Sequence, residues 1–286
     1  MKIIDGKLIS NEIRKNIKKE IESLKEKNII PGLGIILVGN DPASEIYVRN
    51  KMKACDELGV HALLYRFDEE NSEEEIIAQI EKLNKDDHIH GILVQSPLPT
   101  CFNEDRIISY VDKEKDVDGF GIYNLGSLIS NQERIVAATP LGILKMLEYE
   151  NIDVEGKHAV VVGASLIVGR PMAILLLNRG ATVTIAHSKT QNLKEITKQA
   201  DILIVAIGQA KFITDEYVKD GAVVIDVGTN RVDGKLYGDV DFDEVSKKAS
   251  YITPVPGGVG PMTITMLISN VVDQAKGIGD RDGSKN

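Results

Sequence analysis

The stretch VVVGASLIVGRP, residues 160–171, decides the fold class of this chain. It is typical of a buried strand that runs into a glycine turn and then a helix, so that backbone N–H groups at the helix start can face a pyrophosphate. The spacing is irregular, because five residues separate Gly163 from Gly169 where the dinucleotide fingerprint has GxGxxG. By itself the pattern fits a dinucleotide site and a plain strand–helix turn about equally.

Around this stretch, short β-branched runs alternate with helical segments, and no internal repeat is evident in the sequence. The runs are residues 159–162, 182–185, 202–205 and 223–227. Their alternation with helices predicts a Rossmann-like, doubly wound parallel sheet. The second strand ends in His187, Ser188, Lys189 and Thr190, without the acidic residue that holds the ribose of NAD. A hydroxyl and a cation there favour a 2′-phosphate.

The N-terminal half shows the same alternation of strands and helices. Its opening helix is predicted by apolar residues at helical spacing, Ile9, Ile13, Ile17, Ile21 and Leu24. Strands are predicted at residues 33–38, 62–67 and 91–95, and the first and last of these are expected to be buried. Two cap signals mark intervening helices, Asp41 followed by Pro42, and Ser72 followed three residues later by Glu75. We expect an N-terminal βα domain built around a second parallel sheet.

The length of 286 residues exceeds the usual size of one hydrophobic core, so two domains are expected. A loop rich in charge and glycine, residues 112–126, follows the first series of elements. We place the N-terminal domain at residues 1–138, completed by a C-terminal helix at 262–275, and the Rossmann-like domain at 139–261. Residues 276–286 are polar and glycine-rich and are expected to form a flexible tail.

Composition and charge argue against several classes of protein. The net charge of -9, with basic and acidic residues interleaved, argues against a nucleic-acid partner. Apolar residues do not run long enough for a membrane span, and the first residues show no secretory signal, so we expect a cytoplasmic protein. Cys55 and Cys101 are expected to be free thiols, and the scattered histidines indicate no metal site.

One predicted helix presents polar and aromatic side chains on a single face. Ser44 precedes Tyr47 by three residues and Lys51 follows it by four, so a helix aligns a hydroxyl, a ring and an amine. Each candidate has an ordinary explanation. Lys51 fits a solvated lysine, Tyr47 a half-buried packing residue, and Asp118 a turn residue before Gly119. The pattern alone favours these ordinary explanations.

Six segments together resemble the bifunctional methylenetetrahydrofolate dehydrogenase/cyclohydrolase family. In the family's order they are DPASEIYVRNK (41–51), QSPLP (95–99), KDVDGF (115–120), GASLIVGRP (163–171), DVGTN (226–230) and PVPGGVGPMT (254–263). The resemblance covers nearly the whole chain. It implies an enzyme that oxidises 5,10-methylenetetrahydrofolate to 5,10-methenyltetrahydrofolate with NADP and then hydrolyses that product to 10-formyltetrahydrofolate. It also implies a homodimer.

The resemblance assigns roles to individual positions. It implies that Lys51 is the catalytic amine, Gln95 its partner and Asp118 the anchor of the pterin ring. Tyr47 is expected to stack on the folate, and Ser44 to line the same pocket. Further contacts to the substrate are expected from the glycine-rich PVPGG loop, at Pro256, Gly257 and Gly258. Contacts to the dinucleotide are expected at Gly163, Ala164, Ser165, Ser188 and Thr229.

The chain departs from the family's pattern at three places. Ser96 stands where Leu or Met is usual, and Ala137 with Ala138 replaces a Pro-Cys pair. Ala164 stands where the family commonly has an arginine that grips the 2′-phosphate of NADP. The last departure leaves an alternative open, an NAD-dependent methylenetetrahydrofolate dehydrogenase with weak or no cyclohydrolase activity.

The two implied reaction steps make different demands on the protein. Hydride loss requires no strong base, but the folate carbon and the nicotinamide must lie face to face, which favours a cleft between the domains. Hydrolysis requires proton transfers, so Lys51, with an ordinary pKa of about 10.4, must be buried or lie beside a cation to act as a base. A non-catalytic binding module would show damage at Tyr47, Lys51 and Gln95, and none is seen. The folate-side motifs argue against a shikimate-type dehydrogenase, which fold-level analogy alone would permit.

Overall fold

The chain forms two compact units, each assembled from separated pieces of sequence. A computed structural model describes residues 1–283, with side chains described through residue 277. The six-stranded unit consists of Met1–Asn11, Leu128–Gln132 and Thr139–Thr263. The three-stranded unit consists of Glu12–Ser127, Glu133–Ala138 and the chain from Ile264 onward.

Strands and helices alternate along most of the described chain. The strands are β1 (Lys2–Ile3), β2 (Gly32–Val38), β3 (His61–Phe67), β4 (Gly91–Val94), β5 (His158–Val162), β6 (Thr182–Ala186), β7 (Ile202–Val205), β8 (Val223–Asp226), β9 (Asn230–Val232), β10 (Lys235–Tyr237) and β11 (Tyr251–Ile252). The helices are α1 (Gly6–Glu26), α2 (Pro42–Leu58), α3 (Glu73–Asn84), α4 (Glu104–Ile108), α5 (Ile122–Ile129), α6 (Ala138–Tyr149), α7 (Gly169–Asn178), α8 (Leu193–Thr197), α9 (Phe242–Val245) and α10 (Val259–Gly283). A short 3₁₀ helix spans Asp215–Tyr217.

The six-stranded unit contains the predicted Rossmann-like parallel sheet. Its strand order is β1-β11-β8-β7-β5-β6, and all of its neighbouring strands pair in parallel. The central strands are apolar and buried, and Val160, Leu203 and Val224 share one core cluster. β5 lies between β6 and β7, so the direction of winding reverses there. In such sheets the crevice at the carboxyl ends of those strands is where ligands bind.

The three-stranded unit contains the second parallel sheet that the sequence predicts. Its order is β3-β2-β4, and all seven residues of the central strand β2 are buried. Ile36 on β2 and Ile92 on β4 belong to one core cluster with Ile80 of α3. β4 ends at Val94, which leaves Gln95 immediately beyond the carboxyl end of the sheet.

Both predicted cap signals begin helices. The Asp41 carboxylate accepts the backbone N–H of Ser44 at 2.7 Å, and Pro42 occupies the first turn of α2. Ser72 and Glu75 form a reciprocal capping box at the start of α3. A cap of this kind contributes about 1 kcal/mol, because it satisfies a backbone donor that the helix leaves unpaired.

The division into units differs from the predicted domain of residues 1–138 at two segments. Met1–Asn11 and Leu128–Gln132 belong to the six-stranded unit. Met1–Asn11 is attached to that unit through β1, which pairs with β11 and places Lys2 opposite Tyr251. Leu128–Gln132 is attached to it by a hydrogen bond of 2.8 Å from the Asn178 amide to the carbonyl oxygen of Leu128. Two-residue strands and single side-chain contacts leave no periodic signal in a sequence.

The last helix is longer than the predicted 262–275. It spans Val259–Gly283, up to the last described residue. Residues 276–283, expected to be part of a flexible tail, are therefore helical, and residues 284–286 lie outside the described part of the chain. Lys276 explains part of the extension, because its amine donates to Glu20 at 3.0 Å and to Asp273 at 2.8 Å.

Candidate functional site

The Lys51 amine and the Gln95 amide meet in the three-stranded unit. α2 carries Lys51, and the end of β4 delivers Gln95. The lysine Nζ donates to Gln95 Oε1 at 3.0 Å. Gln95 is 8% exposed, so its amide is held away from bulk water. The structure thus brings together two residues that are predicted to act as a pair.

Burial changes the protonation of Lys51 and of the nearby Asp118. Burial lowers the pKa of the Lys51 amine, and the negative charge of Asp118 opposes that shift. Burial also raises the pKa of the Asp118 carboxyl to about 6; the Lys51 charge opposes this, and Asp116 adds to it. A lysine with a lowered pKa gives up a proton more readily near neutral pH.

A second carboxylate, Asp116, holds the loop that carries Asp118. Its side chain accepts the backbone N–H of Gly119 at 3.1 Å, the N–H of Gly121 at 2.8 Å and the Asn124 amide at 2.8 Å. A methyl group on Gly119 would lie 2.8 Å from the backbone nitrogen of Ala137, so the turn has room only for glycine. The KDVDGF motif therefore contains one carboxylate that fixes the loop and one whose charge acts on the Lys51 amine.

Tyr47 and Ser44 lie on the first turns of α2 but differ in exposure. The side chain of Tyr47 is 43% exposed, which leaves its ring surface accessible for stacking. Ser44 is buried, and its backbone N–H is bound to Asp41. One turn beyond Lys51, Cys55 is buried, and burial raises the pKa of its thiol to about 12. Cys55 and the exposed Cys101 are both free, as predicted.

The loop between β5 and α7 has space only for glycine at Gly163 and Gly169. Gly163 has φ +123°, and a methyl group there would lie 2.2 Å from the carbonyl oxygen of Ala206. A methyl group on Gly169 would lie 2.1 Å from the carbonyl oxygen of Gly163. The loop folds back on itself at the reversal point of the sheet, where a dinucleotide pyrophosphate must approach the backbone closely.

Two side chains organise the ends of this loop. Ser165 Oγ accepts the backbone N–H groups of Val168 at 3.1 Å and of Gly169 at 3.4 Å, so that both donors are bonded within the loop that leads into α7. The exposed Arg170 donates from Nε to the carbonyl oxygen of Ala164 at 3.0 Å. A guanidinium is therefore held beside the position where the family commonly has its arginine.

Ser188 and Thr229 follow the carboxyl ends of β6 and β8, and both are exposed. Ser188 lies in a turn in which the His187 N–H donates to Thr190 Oγ1 at 2.9 Å. Thr229 follows Gly228, whose N–H donates to the buried Asp226 carboxylate at 2.9 Å. Both hydroxyls thus lie at the sheet edge where the sequence predicts cofactor contacts.

The loop that contains Pro256, Gly257 and Gly258 packs against the chain start within the six-stranded unit. The peptide bond between Val255 and Pro256 is cis, and Gly257 has φ +105°. The carbonyl oxygen of Gly257 accepts the Lys7 N–H at 3.0 Å. A methyl group on Gly6 would lie 1.8 Å from the carbonyl oxygen of Gly258. The positive φ accounts for Gly257, and close packing accounts for Gly258, where a methyl group would lie 2.5 Å from the carbonyl oxygen of Pro254.

Sequence reasoning missed several residues that hold the site. Asp239 is fully buried and accepts the N–H groups of Ile207, Gly208 and Gln209 at 2.7, 3.0 and 2.8 Å. Glu104 holds the segment after Gln95 through its carboxylate. The Asp-x-x-Gly spacing of residues 116–119 is a turn signal that could have found Asp116. No comparable signal precedes Asp239 or Glu104.

These features define a two-domain α/β protein with a dinucleotide-type sheet and a lysine-centred site on a second parallel sheet. Residues 4–118 match the family model described as tetrahydrofolate dehydrogenase/cyclohydrolase, catalytic domain. Residues 137–278 match the NAD(P)-binding domain of the same family. The chain belongs to the tetrahydrofolate dehydrogenase/cyclohydrolase family, as the sequence motifs predict.

Known relatives resemble the chain over nearly its full length. The bifunctional protein FolD of Halalkalibacterium halodurans is 54% identical over 274 residues, which cover 96% of this chain and 98% of that protein. A crystal structure of the bifunctional enzyme FolD from Campylobacter jejuni has a TM-score of 0.96 and 51% identity, covering 97% of this chain and 99% of that one. The Trypanosoma brucei enzyme, solved with NADP and an inhibitor, has a TM-score of 0.93 and 36% identity, covering 97% and 98%.

The described residues contain no helix long and apolar enough to cross a membrane. Within the same part of the chain, no group of three or more His, Cys, Asp or Glu side chains is arranged to hold a metal ion.

Proposed function

We propose that this chain oxidises 5,10-methylenetetrahydrofolate to 5,10-methenyltetrahydrofolate with NADP and hydrolyses that product to 10-formyltetrahydrofolate. The observation that carries this proposal is the Lys51–Gln95 contact of 3.0 Å beside a desolvated Asp118. Hydride transfer alone does not require such an amine. Its presence supports the bifunctional enzyme over a dehydrogenase that lacks the hydrolytic step.

For the hydrolytic step, Lys51 moves the proton. Water attacks the methenyl carbon, the amine accepts a proton from the attacking oxygen, and a proton is returned to the leaving ring nitrogen. Gln95 cannot titrate, so its oxygen accepts from the ammonium and its contact positions the amine through the cycle. Asp118 binds the pterin, because a carboxylate accepts the N–H donors on the edge of that ring.

For the hydride step, the loop at Gly163 and Gly169 fits a dinucleotide, because any side chain at either glycine would fill the space close to the backbone. NADP, when bound, supplies the acceptor for the hydride. The chain itself fixes this loop, because Ser165 Oγ accepts the N–H groups of Val168 and Gly169 and the Ser165 carbonyl accepts that of Arg170. Ser188 and Thr229 extend the cofactor contacts along the sheet edge.

The charges of the side chains around the expected 2′-phosphate position favour NADP over NAD. The turn after β6 carries Ser188 and Lys189, and no acidic residue lies between His187 and Thr190 to repel a 2′-phosphate. Arg170 adds a guanidinium beside Ala164. Arginine is well suited to phosphate because its planar fork donates two parallel hydrogen bonds. We further propose a homodimer, on the basis of the family resemblance alone.

The test follows turnover of 5,10-methylenetetrahydrofolate by absorbance with NADP and, separately, with NAD. Reduced nicotinamide and the methenyl intermediate are recorded together. Strong turnover with NADP and little methenyl accumulation supports the proposal. Accumulation of methenyl product shows that the hydrolytic assignment is wrong, and a preference for NAD shows that the cofactor assignment is wrong.

A further inference from the structure

The carboxylate of Glu104 bridges the segment that follows Gln95. Ser96 Oγ donates to Glu104 Oε1 at 2.6 Å, and the backbone N–H of Leu98 donates to Glu104 Oε2 at 2.9 Å. Both oxygens of one carboxylate therefore hold residues on the two sides of Pro97. Hydrogen bonds to an ionised acceptor are roughly twice as strong as bonds between neutral groups. We call these two contacts the Glu104 bridge.

The Glu104 bridge is connected directly to the site. Gln95 Nε2 donates to the carbonyl oxygen of Ser96 at 2.6 Å, while Gln95 Oε1 accepts from Lys51 at 3.0 Å. A glutamine amide has one accepting end and one donating end. Because the Ser96 carbonyl takes the donating end, the accepting end faces the lysine. A rotated amide would place its NH₂ group against the Lys51 ammonium and lose both contacts.

Glu104 is itself anchored by the start of α4. The preceding residue, Asn103, caps the helix by accepting the Arg106 N–H at 3.0 Å. Arg106 forms ion pairs with Glu73 and Glu74 of α3. These contacts fix the helix start, and so the origin of the Glu104 side chain, relative to the sheet.

We propose that Ser96 and Glu104 are positioning residues that set the orientation of the Gln95 amide and thereby hold the Lys51 amine for hydrolysis. The proposal rests on the function proposed above. Ser96 stands where the family usually has Leu or Met, and neither apolar side chain could donate to a carboxylate. In this chain the Ser96 hydroxyl donates to the Glu104 carboxylate instead.

Ser96→Ala and Glu104→Gln test the proposal, each assayed separately for hydride transfer and for methenyl hydrolysis. Removing a charge-assisted hydrogen bond reduces the kcat for hydrolysis about tenfold in each variant. The kcat of the dehydrogenase step and its KM for 5,10-methylenetetrahydrofolate stay unchanged. The pH profile of hydrolysis changes as well, because a looser Gln95 alters the environment in which Lys51 titrates. The double variant loses no more than the stronger single variant, since both changes break one bridge.

Two further variants separate positioning from general damage. Ser96→Thr retains the hydroxyl and restores hydrolysis. Asp105→Asn neutralises an exposed carboxylate on the same helix turn and leaves both activities as in the unchanged protein. Wild-type rates and pH profile in Ser96→Ala overturn the proposal, as do equal losses of both activities. If the unchanged protein oxidises 5,10-methylenetetrahydrofolate but does not hydrolyse methenyltetrahydrofolate, it is the proposed function that fails.

Discussion

The backbone N–H of Asp239 donates to the carboxylate of Asp226 at 2.9 Å, so that one buried acid supports another. Asp226 also accepts the N–H groups of Gly228 and Val240 at 2.9 and 3.0 Å. Burial raises its pKa to about 6. A methyl group on Gly238 would lie 1.7 Å from Asp226 Oδ2, so the carboxylate fills the space against the backbone. Together the two acids fix the loops at the carboxyl end of the six-stranded sheet.

Replacement of Asp239 by Asn should destabilise the protein by about 1–3 kcal/mol, because an NH₂ group would face backbone N–H donors. Each of its oxygens accepts two donors, including the Asn230 amide at 2.8 Å. Urea unfolding measures the decrease in the free energy of unfolding. Asp243→Asn, an exposed carboxylate in the first turn of α9, is the control and should change the midpoint little. Equal stability of the two variants would contradict this role of Asp239.

Gly163→Ala should weaken NADP binding and reduce stability by about 1–3 kcal/mol, because the added methyl group overlaps the Ala206 carbonyl oxygen. Equilibrium titration with NADP and thermal unfolding without it measure the two effects. Gly126→Ala is a suitable comparison, since the methyl group it adds lies within 4 Å of no atom beyond its own stretch of helix. Unchanged NADP affinity in a folded Gly163→Ala protein would show that the loop does not bind the cofactor.

Lys51→Met should reduce methenyl hydrolysis by more than about 100-fold, because general acid–base catalysis is lost. The hydride step should retain much of its rate, since it requires no strong base. Separate assays of the two steps measure the division. Lys53→Met on the same helix is the control, because its side chain is 75% exposed. Equal loss of both activities in a folded Lys51→Met protein would refute separate roles.

The acid side of the dehydrogenase pH profile should follow Asp118. Its pKa is raised to about 6 chiefly by burial, so the carboxyl is protonated below that pH and accepts fewer pterin N–H donors. The KM for 5,10-methylenetetrahydrofolate should therefore rise as the pH falls through about 6. Lys51→Met removes the cation that lowers this pKa, so the rise in KM should occur at a higher pH. If the KM rises at the same pH in both proteins, Asp118 is not the group that causes the rise.

Arg170→Gln should raise the KM for NADP about tenfold and leave the KM for NAD nearly unchanged, because only NADP carries a 2′-phosphate. The guanidinium is held beside Ala164 by its Nε contact of 3.0 Å. Initial rates over a range of each cofactor give the comparison. Lys198→Gln, an exposed cation beyond α8, controls for net charge. A parallel rise for both cofactors would assign Arg170 to the loop rather than to the phosphate.

Periodicity predicted the sheets because burial leaves a direct trace in sequence. β2 is buried along all seven residues and reads as a continuous apolar run. The hairpin of β9 and β10 was missed although its turn has a signal, Asp233-Gly234, whose φ angles are +49° and +77°. The strands beside that turn are only three residues long, too short to show alternation.

The site was less predictable than the fold. Lys51 and Gln95 are separated by 44 residues, and only the family resemblance paired them. Glu104 and Asp239 left no sequence signal, because a carboxylate that accepts backbone N–H groups looks like any solvated acid until folding brings the donors near. The environment of a polar side chain, unlike apolar periodicity, is created by tertiary structure.

The interleaved origin of the two units constrains how the chain can be made. Asn270 donates to the carbonyl oxygens of Val117 and Val136 at 2.9 and 3.0 Å, across 153 and 134 residues of sequence. Arg14 likewise donates to Thr265 at 2.9 Å, across 251 residues. During translation the early part of the three-stranded unit must therefore wait, incompletely bonded, while the ribosome makes Thr139–Thr263, the main part of the six-stranded unit. The three-stranded unit is mostly made first and completes its folding last.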